Sequence, residues 1–150
     1  MATLIYFLFY GVLGWTIDTG YRSYVDAAYA PGTWIPFFSL VYPVGAFLVI
    51  KLNEEFHLDG KPLWLRFVLF AFFCTIVEYI GGLLSIQFLH ERFWDYAQYD
   101  LNIHRLIEPW HTVAWGALSI LTVQSIHPRL QRLYERFHET KTRSRARELT

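Results

Sequence analysis

One acidic residue lies in the middle of a long apolar stretch. Residues 67–89, FVLFAFFCTIVEYIGGLLSIQFL, contain a single charged side chain, Glu78. A charged side chain at membrane depth costs about 2.5–3.5 kcal/mol on insertion scales, and such residues usually mark a functional pathway. We therefore interpret Glu78 as part of a site in an outward-facing cavity, where it binds a cation, carries a proton or holds a polar head group. The alternative is a buried ion pair or hydrogen bond that only fixes helix packing.

Polar residues from other apolar segments predict that the site is shared between helices. At helical spacing they form stripes with small residues, and such faces pack against other helices rather than lipid. We expect Arg22 or Arg105 to pair with one of the acidic side chains. The candidate ligand-binding residues are Asp18, Arg22, Tyr42, Glu78, Trp94, Asp95, Tyr96, Arg105, Glu108 and His111.

A group of imidazoles and carboxylates near the predicted outer surface raises a second hypothesis. These groups are zinc ligands, and the set is His90, Glu91, Asp95, His104, Glu108 and His111. No complete HExxH motif is present, and Pro109 predicts a helix start that leaves His104 outside the helix. We assign no metal, cofactor or catalytic residue. An intramembrane, metal-dependent lipid-modifying enzyme using Glu78, His90, Asp95 and His111 stays an alternative, as does a structural or regulatory membrane partner without a ligand.

The composition and the apolar segments predict an all-α, four-helix transmembrane bundle. Hydrophobic residues make up 54% and charged residues 17% of the chain, against about 25% charged in soluble domains. Crossing the bilayer takes about 20 apolar residues, and a soluble bundle would need polar helix faces. The four predicted spans are residues 2–17 with an extension to 21, 31–50, 67–89 and 109–126.

The first two spans have further features. The N-terminal sequence MATLIYFLFYGVLGW lacks a basic start and a cleavage site, so we expect a retained span rather than a signal peptide. The second span contains Pro43, which removes a backbone hydrogen bond, so we expect a kink or break in its outer half.

The charge distribution predicts the orientation of the chain in the inner (plasma) membrane. Residues 128–150 hold seven Lys and Arg against three Glu, a net charge of +4. Lys and Arg stay in the cytoplasm, so we expect both termini on the cytoplasmic side. We divide the chain into a four-span domain, 1–127, and a basic cytoplasmic tail, 128–150. Within the tail Leu130, Leu133, Tyr134 and Phe137 recur at helical spacing, which predicts a short basic amphipathic helix on membrane lipid.

Several short motifs resemble those of a family of small four-span membrane proteins, the Putative ABC-transporter type IV family. The resemblance runs from about residue 5 to residue 134 and is most specific in EYIGGLLSIQFLHERFWDY, residues 78–96. The matching elements are Gly14-Trp15, Asp18 and Tyr21-Arg22, Leu40 to Gly45, Glu78-Tyr79, Gly81-Gly82, Trp94-Asp95-Tyr96, Asn102, Arg105-Leu106, Trp115-Gly116 and Ile126-His127-Pro128.

The resemblance implies a transport-related membrane subunit. The chain has no P-loop motif, GxxxxGK[ST], so an ATPase in such a system would be a separate chain. Four spans are few for a complete transport path, which makes a homodimer a reasonable expectation. We expect no nucleic-acid binding, because the basic residues lie next to a membrane anchor.

Overall fold

The fold is all-α, as predicted. The computed structural model describes residues 2–25 and 35–148, with side chains described as far as residue 138; 77% of the chain is helical, and the described residues contain no strand. The α-helices are α1 (Ala2–Val25), α2 (Val41–Glu55), α3 (Leu63–Leu84), α4 (Pro109–Leu121) and α5 (His127–Glu148). A π-helical turn, Ser85–Leu89, extends α3, and another, Thr122–Ile126, joins α4 to α5.

The first four helices pack in chain order. α1 packs on α2, α2 on α3 and α3 on α4, whereas α1 and α4 do not form a substantial interface with each other. The N-terminal half of α1 meets the start of α5, where the Tyr10 hydroxyl hydrogen-bonds to Nδ1 of His127 at 3.0 Å. The bundle is therefore closed on three sides and open between the outer halves of α1 and α4.

The outer half of the predicted second span is not helical where the structure describes it. Residues 35–40 form a turn, and α2 begins only at Val41. Pro43 consequently lies in the first helical turn, where its missing N–H removes no intrahelical bond. The turn packs against α1, because the backbone N–H of Ser39 donates to the carbonyl of Gly11 at 3.0 Å. The structure thus has a non-helical turn followed by a helix start in the part of the span where we expected a kink or break.

Close approach between the helices depends on small residues of the predicted stripes. A Cβ added at Gly11 would overlap the ring of Phe38, and one at Gly14 would overlap Cβ and Cγ of Tyr42. On the other side of the bundle, a Cβ at Gly116 would come within 2.8 Å of Phe67. Glycine here lets an aromatic ring lie directly on a neighbouring helix backbone, in keeping with small residues at membrane-helix interfaces.

The C-terminal helix is a direct continuation of α4. Residues 109–148 form one helical segment interrupted only by the π-turn at Thr122–Ile126. Leu133 and Phe137 of α5 are 51% and 75% exposed, whereas Leu130 and Tyr134 are partly buried and Tyr134 packs against Tyr6, so the predicted apolar face is only partly covered by the described bundle. The helix is longer than the short one expected from the sequence.

Two helical segments are long and apolar enough to cross a membrane, namely Ala2–Val25 and Leu63–Leu89. Only 22% and 28% of the residues in their most apolar windows are buried. A core helix of a soluble protein would bury most of such a window, whereas these two expose large apolar side chains, including Leu8, Val12, Phe72 and Ile80. Their exposed apolar surface suits a lipid environment.

Substitution of Gly14 should test the contact that sets the position of α2. We expect Gly14→Ala to destabilise the protein by about 1–3 kcal/mol, because the added methyl group forces Tyr42 away from α1. Thermal unfolding in a non-ionic detergent would measure the change.

The matched control is Gly20→Ala, since no atom lies within 4 Å of a Cβ at this position of the same helix. It should be neutral or stabilise α1 by about 0.5–1 kcal/mol, the usual gain from replacing a mid-helix glycine with alanine. Equal melting temperatures for the two variants would contradict the assigned packing.

Candidate functional site

The Glu78 carboxylate lies inside the bundle and is held by two uncharged donors. The side chain is 2% exposed. The hydroxyl of Tyr96 donates to Oε1 at 2.8 Å, and the indole N–H of Trp115 donates to Oε2 at 2.8 Å. Arg22 pairs with Asp18, one of the acids expected to have an arginine partner, and Arg105 pairs with Asp95, so neither arginine forms a salt bridge with Glu78. Glu78 is therefore hydrogen-bonded without being neutralised by a cation of the described chain.

Tyr96 reaches Glu78 from the loop that connects α3 to α4. The residue is 8% exposed, and its backbone N–H donates to the carbonyl of Arg105 at 3.0 Å. Burial, and after it the Glu78 carboxylate, raise the pKa of Tyr96 above its ordinary value. The phenol therefore stays protonated and donates its hydrogen to Glu78 throughout the physiological pH range.

The loop is folded onto the bundle by contacts between two motif elements. The indole N–H of Trp94 donates to the carbonyl of Leu106 at 2.8 Å, and Leu106 is only 1% exposed. Both side chains lie against Gly82 of α3, where a Cβ would come within 2.7 Å of Leu106 and 3.1 Å of Trp94. Glycine at this position therefore lets the loop sit directly over the outer end of α3.

An ion pair closes the same loop on its exposed side. Nε of Arg105 donates to Oδ1 of Asp95 at 2.8 Å, and Nη2 bonds to the second carboxylate oxygen. Arg105 has a positive φ of 62°, and its backbone N–H is held by the side-chain oxygen of Asn102 at 2.9 Å. Residues 94–96 and 102–105 thus hold each other in place, and we call them together the latch. The hydrogen bond from Tyr96 connects the latch to Glu78.

Asp18 and Arg22 form a second polar pair, one helical turn apart on α1. Nε of Arg22 donates to Oδ2 of Asp18 at 3.2 Å, and both side chains are about one quarter exposed, at 24% and 23%. The pair lines the same small cavity as Glu78, so it forms the opposite wall of the site.

Glu108 and His111 have a local role at the start of α4. Glu108 is the N-cap of the helix and accepts hydrogen bonds from the backbone N–H of Trp110 at 2.7 Å and of His111 at 2.6 Å. The His111 ring also bonds to this carboxylate. Burial raises the pKa of Glu108, but the bonds from His111 and Trp110 outweigh burial and hold the pKa below its ordinary value. Glu108 is 3% exposed and used in capping, so only His111 extends towards the open cleft.

Three spaces meet around Tyr42 and Trp115, whose rings pack edge to face with centroids 5.1 Å apart. A cavity of about 30 Å³ lies between Glu78, Asp18 and Arg22, and a second of about 40 Å³ lies in the bundle beside Cys74 and Ser119. A water molecule needs about 10–15 Å³ measured in this way, so each space can hold two or so waters. The third, of about 390 Å³, is a cleft between α1 and α4.

The candidate metal ligands do not come together. His104 stacks on Tyr79 and bonds to its hydroxyl at 2.6 Å, whereas Asp95 pairs with Arg105 and His111 with Glu108. Among the side chains that the structure describes, up to residue 138, no three of His, Cys, Asp or Glu are placed to hold a metal ion. His104 also lies outside α4, as Pro109 predicted.

The candidate ligand-binding residues fall into three groups. Those that line the small cavity are Asp18, Arg22, Tyr42, Glu78, Trp94 and Tyr96. Asp95 and Arg105 hold the loop in place, and Glu108 and His111 cap α4. Trp115 was missed as a site residue, although its position on the polar stripe of the last span, 37 residues after Glu78, was a usable signal. An indole N–H on an inward-facing stripe is a natural partner for a buried carboxylate.

The exposed apolar helices and the enclosed carboxylates define a helical membrane protein with a polar interior. The chain belongs to the Putative ABC-transporter type IV family, whose sequence profile matches residues 5–145. The match covers most of the chain and confirms the family inferred from the motifs. No curated protein and no solved structure match the chain.

Removal of the Tyr96 hydroxyl should expose the cost of burying Glu78. We expect Tyr96→Phe to lower the free energy of unfolding by about 2 kcal/mol, because a buried carboxylate loses a charged hydrogen bond. Tyr99→Phe is the control, since its hydroxyl lies 3.5 Å from that of Tyr21 at an exposed position. That change should stay within about 0.5 kcal/mol. Chemical unfolding in mixed micelles would measure both, and equal losses would contradict the role of Tyr96.

The Asp95–Arg105 ion pair should loosen in acid. The hydrogen bond from Arg105, and then the backbone N–H of Ala97, hold the pKa of Asp95 below its ordinary value. Because the pKa of Asp95 is lower in the folded protein than in the unfolded chain, where it is about 3.9, the ionised carboxylate stabilises the folded loop at pH values above about 3.9. This stabilisation is lost as the pH falls through the folded-state pKa. Hydrogen exchange at the Tyr96 amide, corrected for its intrinsic pH dependence, should therefore accelerate below about pH 4.

Asp95→Asn should show fast exchange at this amide at neutral pH already, whereas Asp100→Asn, at an exposed position of the same loop, should behave as the parent protein. If the Tyr96 amide of Asp95→Asn exchanged as slowly at neutral pH as that of the parent protein, the ion pair would not be what holds the loop.

Proposed function

We propose that this chain is a four-span subunit of a transport system of the inner (plasma) membrane, with both termini in the cytoplasm. Its outward-facing polar cavity binds a small cationic or polar substrate or a lipid head group. The ligand-binding residues of this proposal are Asp18, Arg22, Tyr42, Glu78, Trp94 and Tyr96, while Asp95, Arg105, Glu108 and His111 support them.

The observation that carries the proposal is a buried carboxylate without a cationic partner beside a cavity. Glu78 receives hydrogen bonds from Tyr96 and Trp115, both neutral, and forms no salt bridge with the described residues. Arg22, on the opposite wall, is already paired with Asp18. With two carboxylates and one guanidinium around the cavity, a ligand with positive charge restores neutrality, and charge burial is favourable only when it is compensated.

The four-span arrangement is supported by the two long apolar helices and by the shorter α2 and α4. α2 has 15 residues, about 22 Å at 1.5 Å per residue, and the turn at 35–40 supplies the rest of the crossing. Irregular backbone at membrane depth is tolerated when it is buried in protein, and Ser39 is 7% exposed and bonded to α1.

The orientation follows from the basic C-terminal region. Arg129, Arg132 and Arg136 lie on α5 at the end opposite to Glu78 and the latch. Positive charge is retained in the cytoplasm, so the cavity then opens towards the outer half of the membrane, and α5 lies at the cytoplasmic surface against anionic lipid.

The partners of this proposal are membrane lipid, a separate ATPase subunit and a second copy of the chain. The family name suggests an ATPase partner, and the sequence carries no phosphate-binding P-loop of its own. A homodimer would supply eight spans, a more usual number for a transport path than four.

Binding of ammonium compounds should test the role of Glu78. We expect at least one of three probes, choline, ethanolamine or dodecyltrimethylammonium, to raise the melting temperature of the detergent-solubilised protein. At 100 times the dissociation constant, a ligand stabilises the folded state by about 2.7 kcal/mol. Glu78→Gln should remove this stabilisation, because the neutral amide no longer attracts the cation.

Glu91→Gln is the matched control, since Glu91 is an exposed acid of the outer loop, and it should keep the full ligand effect. A Glu78→Gln variant that melts earlier but responds to the probes as the parent does would show a purely structural glutamate. The proposal would also fail if none of the probes stabilised the parent protein.

A further inference from the structure

The cleft between α1 and α4 is the largest described space in the protein, at about 390 Å³. This lies within the range of about 300–1,000 Å³ typical of small-molecule sites. It shares Asp18, Tyr42, Tyr96 and Trp115 with the lining of the Glu78 cavity. The same aromatic side chains therefore separate a wide cleft from the small polar space behind it.

The inner wall of the cleft is unusually rich in aromatic rings. Tyr21, Tyr42, Tyr96, Trp110, His111 and Trp115 contribute to it, together with one carboxylate, that of Asp18. The ring of His111 lies against Tyr96 with centroids 4.4 Å apart, and its edge meets Tyr21 at 5.6 Å. Aromatic side chains beside an acidic group are the side-chain types by which proteins recognise quaternary ammonium ions, because the ring faces are electron-rich.

The remaining wall of the cleft is aliphatic and continues to its open side. Ile17 of α1 and Ala114 and Leu118 of α4 line it, and Ile17 is 39% exposed. Because α1 and α4 do not pack against each other here, these residues lead from the aromatic wall to the outer surface of the bundle. In a membrane that surface faces acyl chains, so an alkyl chain can lie along it while its head group reaches the rings.

The outer loop favours this sideways route over one from the water phase. Trp94, Tyr96 and Leu106 cover the outer end of α3 above Glu78, and the Asp95–Arg105 pair holds them there. A head group approaching between α1 and α4 enters a cleft whose lining includes Asp18 and Tyr42, without passing this loop.

We propose that the cleft between α1 and α4 is the lateral entrance for an amphiphile with a quaternary ammonium head group. The head group binds against Tyr42, Tyr96 and Trp115, between the carboxylates of Asp18 and Glu78. The alkyl chain lies along Ile17, Ala114 and Leu118 and extends into the bilayer. This inference rests on the function proposed above and names the class of substrate and its route.

The test compares two ammonium probes and two tryptophan substitutions in a dodecyl maltoside micelle, whose own chain is a neutral-headed control. Dodecyltrimethylammonium should bind at least about tenfold more tightly than tetramethylammonium, because only the former fills the aliphatic wall. Ala114→Trp places an indole in the cleft and should weaken dodecyltrimethylammonium binding by about tenfold or more. Val113→Trp, one position away at a residue outside the cleft lining and 48% exposed, should change binding by less than about twofold.

The outcomes separate this inference from the function on which it rests. If both ammonium probes bind equally and Ala114→Trp behaves as Val113→Trp, while Glu78→Gln still abolishes binding, the cavity takes a soluble cation and the lateral route is wrong. If dodecyltrimethylammonium binds equally to the parent, Glu78→Gln and Ala114→Trp proteins, the probe only partitions into the micelle and both proposals fail. Ile17→Trp, on the α1 side of the same aliphatic wall, gives the same test should Ala114→Trp not fold.

Discussion

The burial of one carboxylate governs the outer half of this protein. Glu78 is almost completely enclosed, and a buried carboxylate that lacks hydrogen-bond donors is strongly destabilising. The two donors come from different parts of the chain, Trp115 from α4 and Tyr96 from the loop before it. Keeping Glu78 satisfied therefore requires α4 to pack on α3 and the loop to fold inward. The Asp95–Arg105 pair and the Trp94–Leu106 contact are best understood as the supports of that loop.

The late start of the second helix provides the space in which this site can exist. A straight helix through residues 35–40 would occupy the outer half of the bundle beside Asp18 and Glu78. Instead, the turn packs on α1 through Gly11 and Ser39, and α2 begins at Val41 at about the level of Gly14. Loop side chains, chiefly Trp94 and Tyr96, fill part of the space that such a helix would occupy. The rest of that space forms the cavities. The polar interior of this bundle thus lies in the space left by the short helix α2.

The sequence predicted the helical fold and the inward turn of the polar stripes, because periodicity reports which face of a helix is small or polar. It also located Glu78, since a single charge in an apolar run is conspicuous. It did not predict the partner of Glu78. We expected Arg22 or Arg105 to pair with one of the acids, and Arg22 does pair with Asp18. The partners of Glu78, however, are Tyr96 and Trp115. Tyr96 and Trp115 lie 18 and 37 residues after Glu78. Whether residues so far apart meet depends on how the intervening loop folds, and helical periodicity does not report that. The role of Glu108 as a helix cap could have been read from the following proline.

The joined helix α4–α5 connects the site to the opposite end of the bundle. Trp115 hydrogen-bonds to Glu78, and His138 lies 23 residues further along the same helical segment, beyond the π-turn, about 35 Å away at 1.5 Å per residue. Over that length a tilt of about 5° moves the far end by about 3 Å. As a rigid body, the segment would convert a small tilt at the Trp115 indole into a larger displacement at Arg129, Arg132 and Arg136.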